Sequence, residues 1–233
     1  VLTTPFICFA QKKSILKLLT KGEYEQVYEK IQTSFQDTND VNRLELLALY
    51  YNQENNPDKN ACLAYYYGKR LNNIEEKEII PLEEICKKEL SVVYNSKDIE
   101  QLENFVNCFY DEKKYVREAE RLLEQIVFER TQMLNTLEDY ELYIEKFPNA
   151  IQANLARQAI DEIVSLQIIE SEDLEKLERF VVQTTNEKYK QQALQEIERI
   201  IFQNTLEENT REKYEAYIKR FPNGVYIKLA KEK

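Results

Sequence analysis

Three groups of side chains could carry chemistry in this 233-residue chain: four cysteines, an acidic cluster and two runs of tyrosine. Histidine is absent altogether. That removes Ser–His and Cys–His nucleophile activation, histidine acid–base work and nearly all ordinary zinc sites. Cys8, Cys62, Cys86 and Cys108 form no C-x-x-C pair. The last three each fall in a helical apolar pattern, where a reduced thiol behaves as a small hydrophobe. The second reading is one disulfide, with Cys62 and Cys86 as the pair. A catalytic thiolate would need a base that no histidine supplies. Glu75, Glu76, Glu78, Glu83 and Glu84 lack the Asp/Asn/Gly loop that converges oxygens on calcium, so a solvated helix face and no metal site are expected. Three scattered glycines make no phosphate-binding loop. The chain therefore presents no catalytic residues and implies no cofactor; an enzyme is the least supported functional reading.

Tyrosine is the better lead. Tyr50–Tyr51 and Tyr65–Tyr66–Tyr67 lie on the two helices of one expected hairpin. Three successive helical residues fan over about 200°, wider than the roughly 100° stripe that a surface helix buries. At least one of the triplet is expected to leave the local core. Tyrosine combines a large contact area with a polar tip, which suits it to binding surfaces. Tyr50, Tyr51, Tyr66 and Tyr67 are thus the candidate binding residues. The competing expectation is that neighbouring helices sandwich this one and bury them all.

The elements that position these residues are set by a repeat. Thr136–Leu–Glu–Asp–Tyr140–Glu–Leu–Tyr143–Ile–Glu–Lys–Phe147–Pro148–Asn149 returns 74 residues later as Thr210 through Tyr214, Tyr217, Phe221, Pro222 and Asn223. A divergent copy at Asp173, Glu175, Leu177, Phe180 and Asn186 stands halfway, so the period is 37. Leu137, Tyr140, Tyr143 or Ile144, and Phe147 make one apolar helical stripe. Thr136, Asp173 and Thr210 are placed to accept from free N–H groups of the first turn. Pro148 and Pro222 end that helix, and Asn149, Asn186 and Asn223 are read as caps of a second one. Ala119, Ala156, Ala193 and Ala230 keep the same interval; a side chain that small lets two helices approach closely. The fold expected is all-α: an α-solenoid of about six tandem helical hairpins, with about 37 residues per regular repeat.

Three regions follow. Residues 1–13 are an apolar N-terminal segment, 14–97 hold irregular hairpins, and 98–233 hold the regular repeats. Val1–Ala10 reads as the tail of a secretory signal peptide, with Cys8 at −3 and Ala10 at −1. A lipid-bearing Cys8 is disfavoured by the bulky Ile7 and Phe9. Export implies a periplasmic, secreted or envelope-associated protein; without it the chain would be cytoplasmic. Eleven uncharged residues are too few to span a bilayer, so no transmembrane helix is expected. The net charge of −10 argues against a nucleic-acid backbone as partner. Residues 211–233 carry seven Lys or Arg against three Glu, expected to be the solvated face of a terminal repeat, the alternative being a basic end that docks on an acidic partner or anionic lipid.

Between Ser14 and Phe35 a Leu-rich stripe, a Lys–Gly22–Glu–Tyr24 turn and a second stripe resemble a hairpin of the tetratricopeptide family. A second pair fits Val41–Glu54 and Asp58–Leu71, and Ile74–Tyr94 contributes a further helix or two, broken near Pro81. The chain lacks the family's tryptophan. Over residues 98–233 the Tyr140/Tyr143/Phe147/Pro148/Asn149 and Tyr214/Tyr217/Phe221/Pro222/Asn223 runs resemble the tetratricopeptide-like repeats of bacterial envelope proteins. Outer-membrane assembly lipoproteins and cell-division coordinators use such repeats as scaffolds. The resemblance implies a non-catalytic scaffold or adaptor that holds a protein or peptide partner. The alternative is an architectural protein whose array ends stack into a homo-oligomer.

Overall fold

The computed structural model describes the backbone from Thr4 to Lys233 and the side chains from Phe9 onward. Of the signal read over residues 1–10, residues 1–3 and the side chains through Cys8 lie outside the described residues. Among the described residues, 77% lie in 13 helices and none in a strand. It divides into two compact units, Val1–Glu129 and Arg130–Lys233.

In the first unit the helices are α1 (Thr4–Lys21), α2 (Tyr24–Ser34), α3 (Val41–Tyr51), α4 (Ala61–Glu75), α5 (Leu82–Ser96) and α6 (Ile99–Cys108). Helix α7 (Lys113–Leu134) contains the boundary between the units. Gly22, at φ +74°, turns the chain from α1 into α2. Asp40 and Asn60 start α3 and α4 by accepting from Asn42 and Arg43 N–H and from Leu63 N–H. Arg43 then reaches back to the Phe35 carbonyl and, at 2.6 Å, to Gln32 Oε1, tying α3 to the end of α2. Ile15, Leu19, Val27, Ile31, Phe35, Leu46, Leu47 and Tyr50 close the core of these three helices.

The linker after α4 is held by one side chain. Asn72 donates to the Ile80 carbonyl at 2.8 Å and accepts from the N–H groups of Ile79 and Ile80. Pro81 precedes α5, so the break expected near it separates the end of α4 from a single following helix. The cysteines correct the sequence reading. Cys62 on α4 pairs with Cys108 at the end of α6, Cα to Cα 5.4 Å. Cys86 on α5 is instead the free, buried thiol. Burial, and then the nearby Glu112 and Glu83, push that thiol up to about 12, so at neutral pH it packs as an apolar group. Spacing could not show this, because the pair skips the helix between.

The second unit contains α8 (Leu137–Lys146), α9 (Ala153–Glu170), α10 (Leu174–Gln183), α11 (Glu187–Glu208), α12 (Arg211–Arg220) and α13 (Ile227–Glu232). Thr136, Asp173 and Thr210 cap α8, α10 and α12 by accepting from Asp139, Lys176 and Lys213 N–H. The residue before each cap, Asn135, Glu172 or Asn209, is left-handed. Asparagine tolerates that region, whereas Glu172 pays roughly 1 kcal/mol for it. Asn135 and Asn209 also accept from the hydroxyls of Tyr140 and Tyr214, at 3.1 and 3.0 Å.

Of the three asparagines expected to cap the second helices, only Asn186 does so, accepting from Lys188 and Tyr189 N–H. Asn149 and Asn223 lie three residues short of the caps of α9 and α13, which are Gln152 and Tyr226. The proline is the cause. After Phe147–Pro148 the chain closes two turns, Ala150 N–H to Phe147 O and Ala153 N–H to Ala150 O, before a helix can start. Gly224 and Ile227 repeat that pattern after Phe221–Pro222. Without a proline, Thr184–Thr185–Asn186 passes straight into α11. Ala119, Ala156, Ala193 and Ala230 are all buried.

Candidate functional site

Tyr24 and Tyr28 on α2, Tyr50 and Tyr51 on α3, and Tyr66 and Tyr67 on α4 form one chain of touching rings. Tyr50 is its hub. The Tyr24, Tyr28 and Tyr51 rings lie 6.4, 5.5 and 5.1 Å from that of Tyr50. Tyr51 continues the chain to Tyr67, stacked at 5.9 Å and 9° between planes, and Tyr67 meets Tyr66 edge-on at 5.2 Å. Edge and offset arrangements of this kind are the ones the ring quadrupole favours.

The four residues expected from the sequence are thus brought together, in different roles. Tyr50 is 1% exposed and offers no surface to a partner. Its hydroxyl donates to Asp58 Oδ2 at 2.5 Å, and the buried Asn56 donates from Nδ2 to the Tyr50 carbonyl at 2.8 Å, which folds the 52–60 turn onto α3. Tyr51 and Tyr67 are half-buried, and Tyr66 is 51% exposed. Tyr65 turns the other way, into the core. That is the divergence about 100° per residue imposes on a helical triplet.

Two residues that the reading of tyrosine runs passed over complete the surface. Tyr28 is 40% exposed, and its i, i+4 relation to Tyr24 was the available signal. Arg70, one turn on from Tyr66, lies 5.4 Å over the Tyr66 ring and donates to its hydroxyl at 3.3 Å. The same guanidinium donates to Asn39 Oδ1 at 2.5 Å and to the Thr38 carbonyl at 3.2 Å. Tyr66 is therefore propped in place by a guanidinium that is itself fixed by the 38–39 backbone and side chain.

No family model matches the chain, and no curated protein does.

The arrangement offers aromatic contact surface with neutral hydroxyls. Burial, then the adjacent Asp58, raise the Tyr50 hydroxyl above the ordinary tyrosine range. Burial, followed by the neighbouring Tyr28, pushes Tyr51 up to about 12. Both stay neutral across physiological pH. The sign follows from linkage: between pH 10 and 12 the unfolded chain releases a proton that the folded Tyr51 keeps. Stability from this group is complete below pH 10 and is lost as pH rises through that window. Melts from pH 8 to 11.5 are expected to show a shallower alkaline decline for Tyr51→Phe than for wild type; parallel declines would remove Tyr51 as the cause.

Away from the tyrosines, Ile151 and Val225 stand 90% and 77% exposed just after the two Phe–Pro–Asn turns. Among the described residues, no group of three acidic or cysteine side chains is arranged to hold a metal ion. Glu83, from the acidic cluster, accepts from the Tyr115 hydroxyl at 2.6 Å.

Proposed function

We propose that this chain is a non-catalytic scaffold or adaptor that holds a protein or peptide partner against the tyrosine face of α2, α3 and α4. The observation that carries this reading is one ring network with its hub buried and two rims, Tyr28 and Tyr66, open to solvent. Aromatic anchors held rigidly on helices supply binding area at low entropic cost, and surrounding charges set register and association rate.

The framework proposed is an α-solenoid of tetratricopeptide-like hairpins with a 37-residue period. Its support is local: caps at Thr136, Asp173 and Thr210, left-handed residues directly before them, and buried alanines at 156, 193 and 230 all keep that interval. The compartment proposed is an oxidising one, such as the periplasm or the outer face of an envelope. The Cys62–Cys108 disulfide supports this, because thiols of reducing compartments seldom persist as structural bridges. No helix among the described residues is long and apolar enough to cross a membrane.

Selection from a displayed random-peptide library tests the reading. Peptides recovered on the wild-type protein are expected to lose about tenfold or more in affinity for a Tyr28→Ser/Tyr66→Ser variant, as the loss of two anchors of about 1 kcal/mol each would give. Both positions are exposed, so the variant keeps its fold, which circular dichroism checks. Peptides that bind the variant equally well would remove the tyrosine face as the site.

A further inference from the structure

A groove in the second unit carries a different chemistry. It has a volume of about 520 Å³ and lies against α9, α11 and the turn before α13. Leu166 and Ile169 on α9, with Val225 and Tyr226 on the turn, give it apolar walls. Three carboxylates and one guanidinium line it: Glu170, which is exposed, Glu198, which is only 8% exposed, Glu196, and Arg199. Arg199 pairs with Glu196 at 2.6 Å and with Glu172 at 2.5 Å, which leaves Glu198 and Glu170 without an ion pair among the described residues.

Glu198 is built into place. Its Oε1 accepts from the Tyr217 hydroxyl at 2.5 Å and, weakly, from the Tyr226 N–H at 3.5 Å. A Cβ on Gly224 would collide with that oxygen and come within 2.9 Å of Glu198 Cδ and of Phe221 Cβ, so glycine in the turn lets the carboxylate sit beneath it. The second oxygen, Oε2, has no partner among the described residues, and because every enclosed side-chain oxygen there is hydrogen-bonded, Oε2 is the one reached by solvent. A carboxylate taken this far out of water with hydrogen bonds but no opposite charge is held at a cost in free energy. An ammonium or guanidinium group returns part of that cost, and its methylene stem covers apolar wall.

We infer that the α9–α11 groove is a receptor for one lysine or arginine side chain of a partner protein, with Glu198 as the buried acceptor and Glu170 at the mouth. Anions are repelled by the same carboxylates. A hard metal ion would need more oxygens than these two side chains offer. The volume exceeds one basic side chain, so an apolar neighbour in the partner's sequence fits beside it. The site shares no residue with the tyrosine face, and either can fail without the other.

The test is an amide NMR titration of the full chain with n-butylammonium and n-butylguanidinium, and with n-butanol as the uncharged control. The expected result is a saturable shift of the Gly224, Val225 and Tyr226 amides with the two cations. The alcohol should bind at least about fivefold more weakly, the ratio that roughly 1 kcal/mol of charge interaction gives. Glu198→Gln keeps the acceptor for Tyr217 but removes the charge, and is expected to abolish the difference between cation and alcohol. Equal shifts with the alcohol, no saturation, or an unchanged preference in Glu198→Gln would each overturn the proposal. Should that variant fail to fold, Glu170→Gln decides: a weaker cation response, by about twofold for an exposed charge, supports the site, and an unchanged one overturns it.

Discussion

Cys62→Ser together with Cys108→Ser is expected to lower the stability of residues 1–129 by about 4 kcal/mol, the chain-entropy value for a bridge across 46 residues. In a unit of this size that corresponds to a fall of roughly 15 °C in melting temperature. The fold itself should survive, because other links cross the same seam. The Tyr65 ring packs at 5.0 Å against that of Phe109, and its hydroxyl donates to Glu112 Oε1 at 3.0 Å. Lys69 pairs with Asp111 and lies 4.9 Å over the Tyr110 ring. Residues 62, 65 and 69 form one face of α4, and all of them meet the 108–112 segment. Urea denaturation with and without dithiothreitol provides the measurement. The midpoint should drop on reduction of the wild type and stay fixed in the double variant. A midpoint indifferent to reductant would mean that the two thiols are not joined in the folded protein, and the argument for an oxidising compartment would go with it.

The seam shows where reading the sequence succeeds and where it stops. Helices were legible because their signals are local. Thr136, Asp173 and Thr210 cap in place, and Pro148 and Pro222 end the helices before them. The error over Asn149 and Asn223 was also local. A proline stops one helix without specifying how many residues the chain spends before it starts another, and here a double turn intervened. Cysteine pairing is of another kind, since it depends on which helices face each other across α5. No spacing along the chain encodes that.

The candidate site was legible to the same depth. Adjacent tyrosines on a helix must diverge, so an exposed member of the 65–67 triplet followed from geometry alone, and Tyr66 is that member. Which neighbours converge on it did not follow. Tyr28 arrives from α2, a different hairpin, and Arg70 becomes a prop only through the 35–40 turn. Tyr50 illustrates the converse: its type suggested a surface anchor, but the i, i+3 and i+4 positions on α3 that it shares with Leu46 and Leu47 place it in the core. Glu198 gave no signal at all, because a glutamate in a charged helix reads as solvent-facing until Gly224 is seen above it.

Gly68→Ala sets two opposed effects against each other, and packing is expected to win. Gly68 lies inside α4, where alanine gains about 1 kcal/mol over glycine from helix propensity. A Cβ there would come 2.7 Å from Ile80 Cγ2 and 3.0 Å from both Ile80 Cβ and Leu82 Cδ2. Overpacking of that sort costs roughly 1–3 kcal/mol. The neighbour has little room to yield, because Asn72 clamps the Ile80 backbone from both its N–H and its carbonyl. The net expectation is a loss of up to about 2 kcal/mol, the reverse of the usual outcome for glycine-to-alanine in a helix. A double-mutant cycle isolates the cause. Ile80→Ala alone should cost about 2–4 kcal/mol as a buried large-to-small change. With that side chain gone, Gly68→Ala should become neutral or stabilising, a coupling of roughly 1–3 kcal/mol. If alanine at position 68 instead stabilises the protein with Ile80 intact, helix propensity has outweighed contact, and α4 and α5 do not approach as closely as a bare Cα allows.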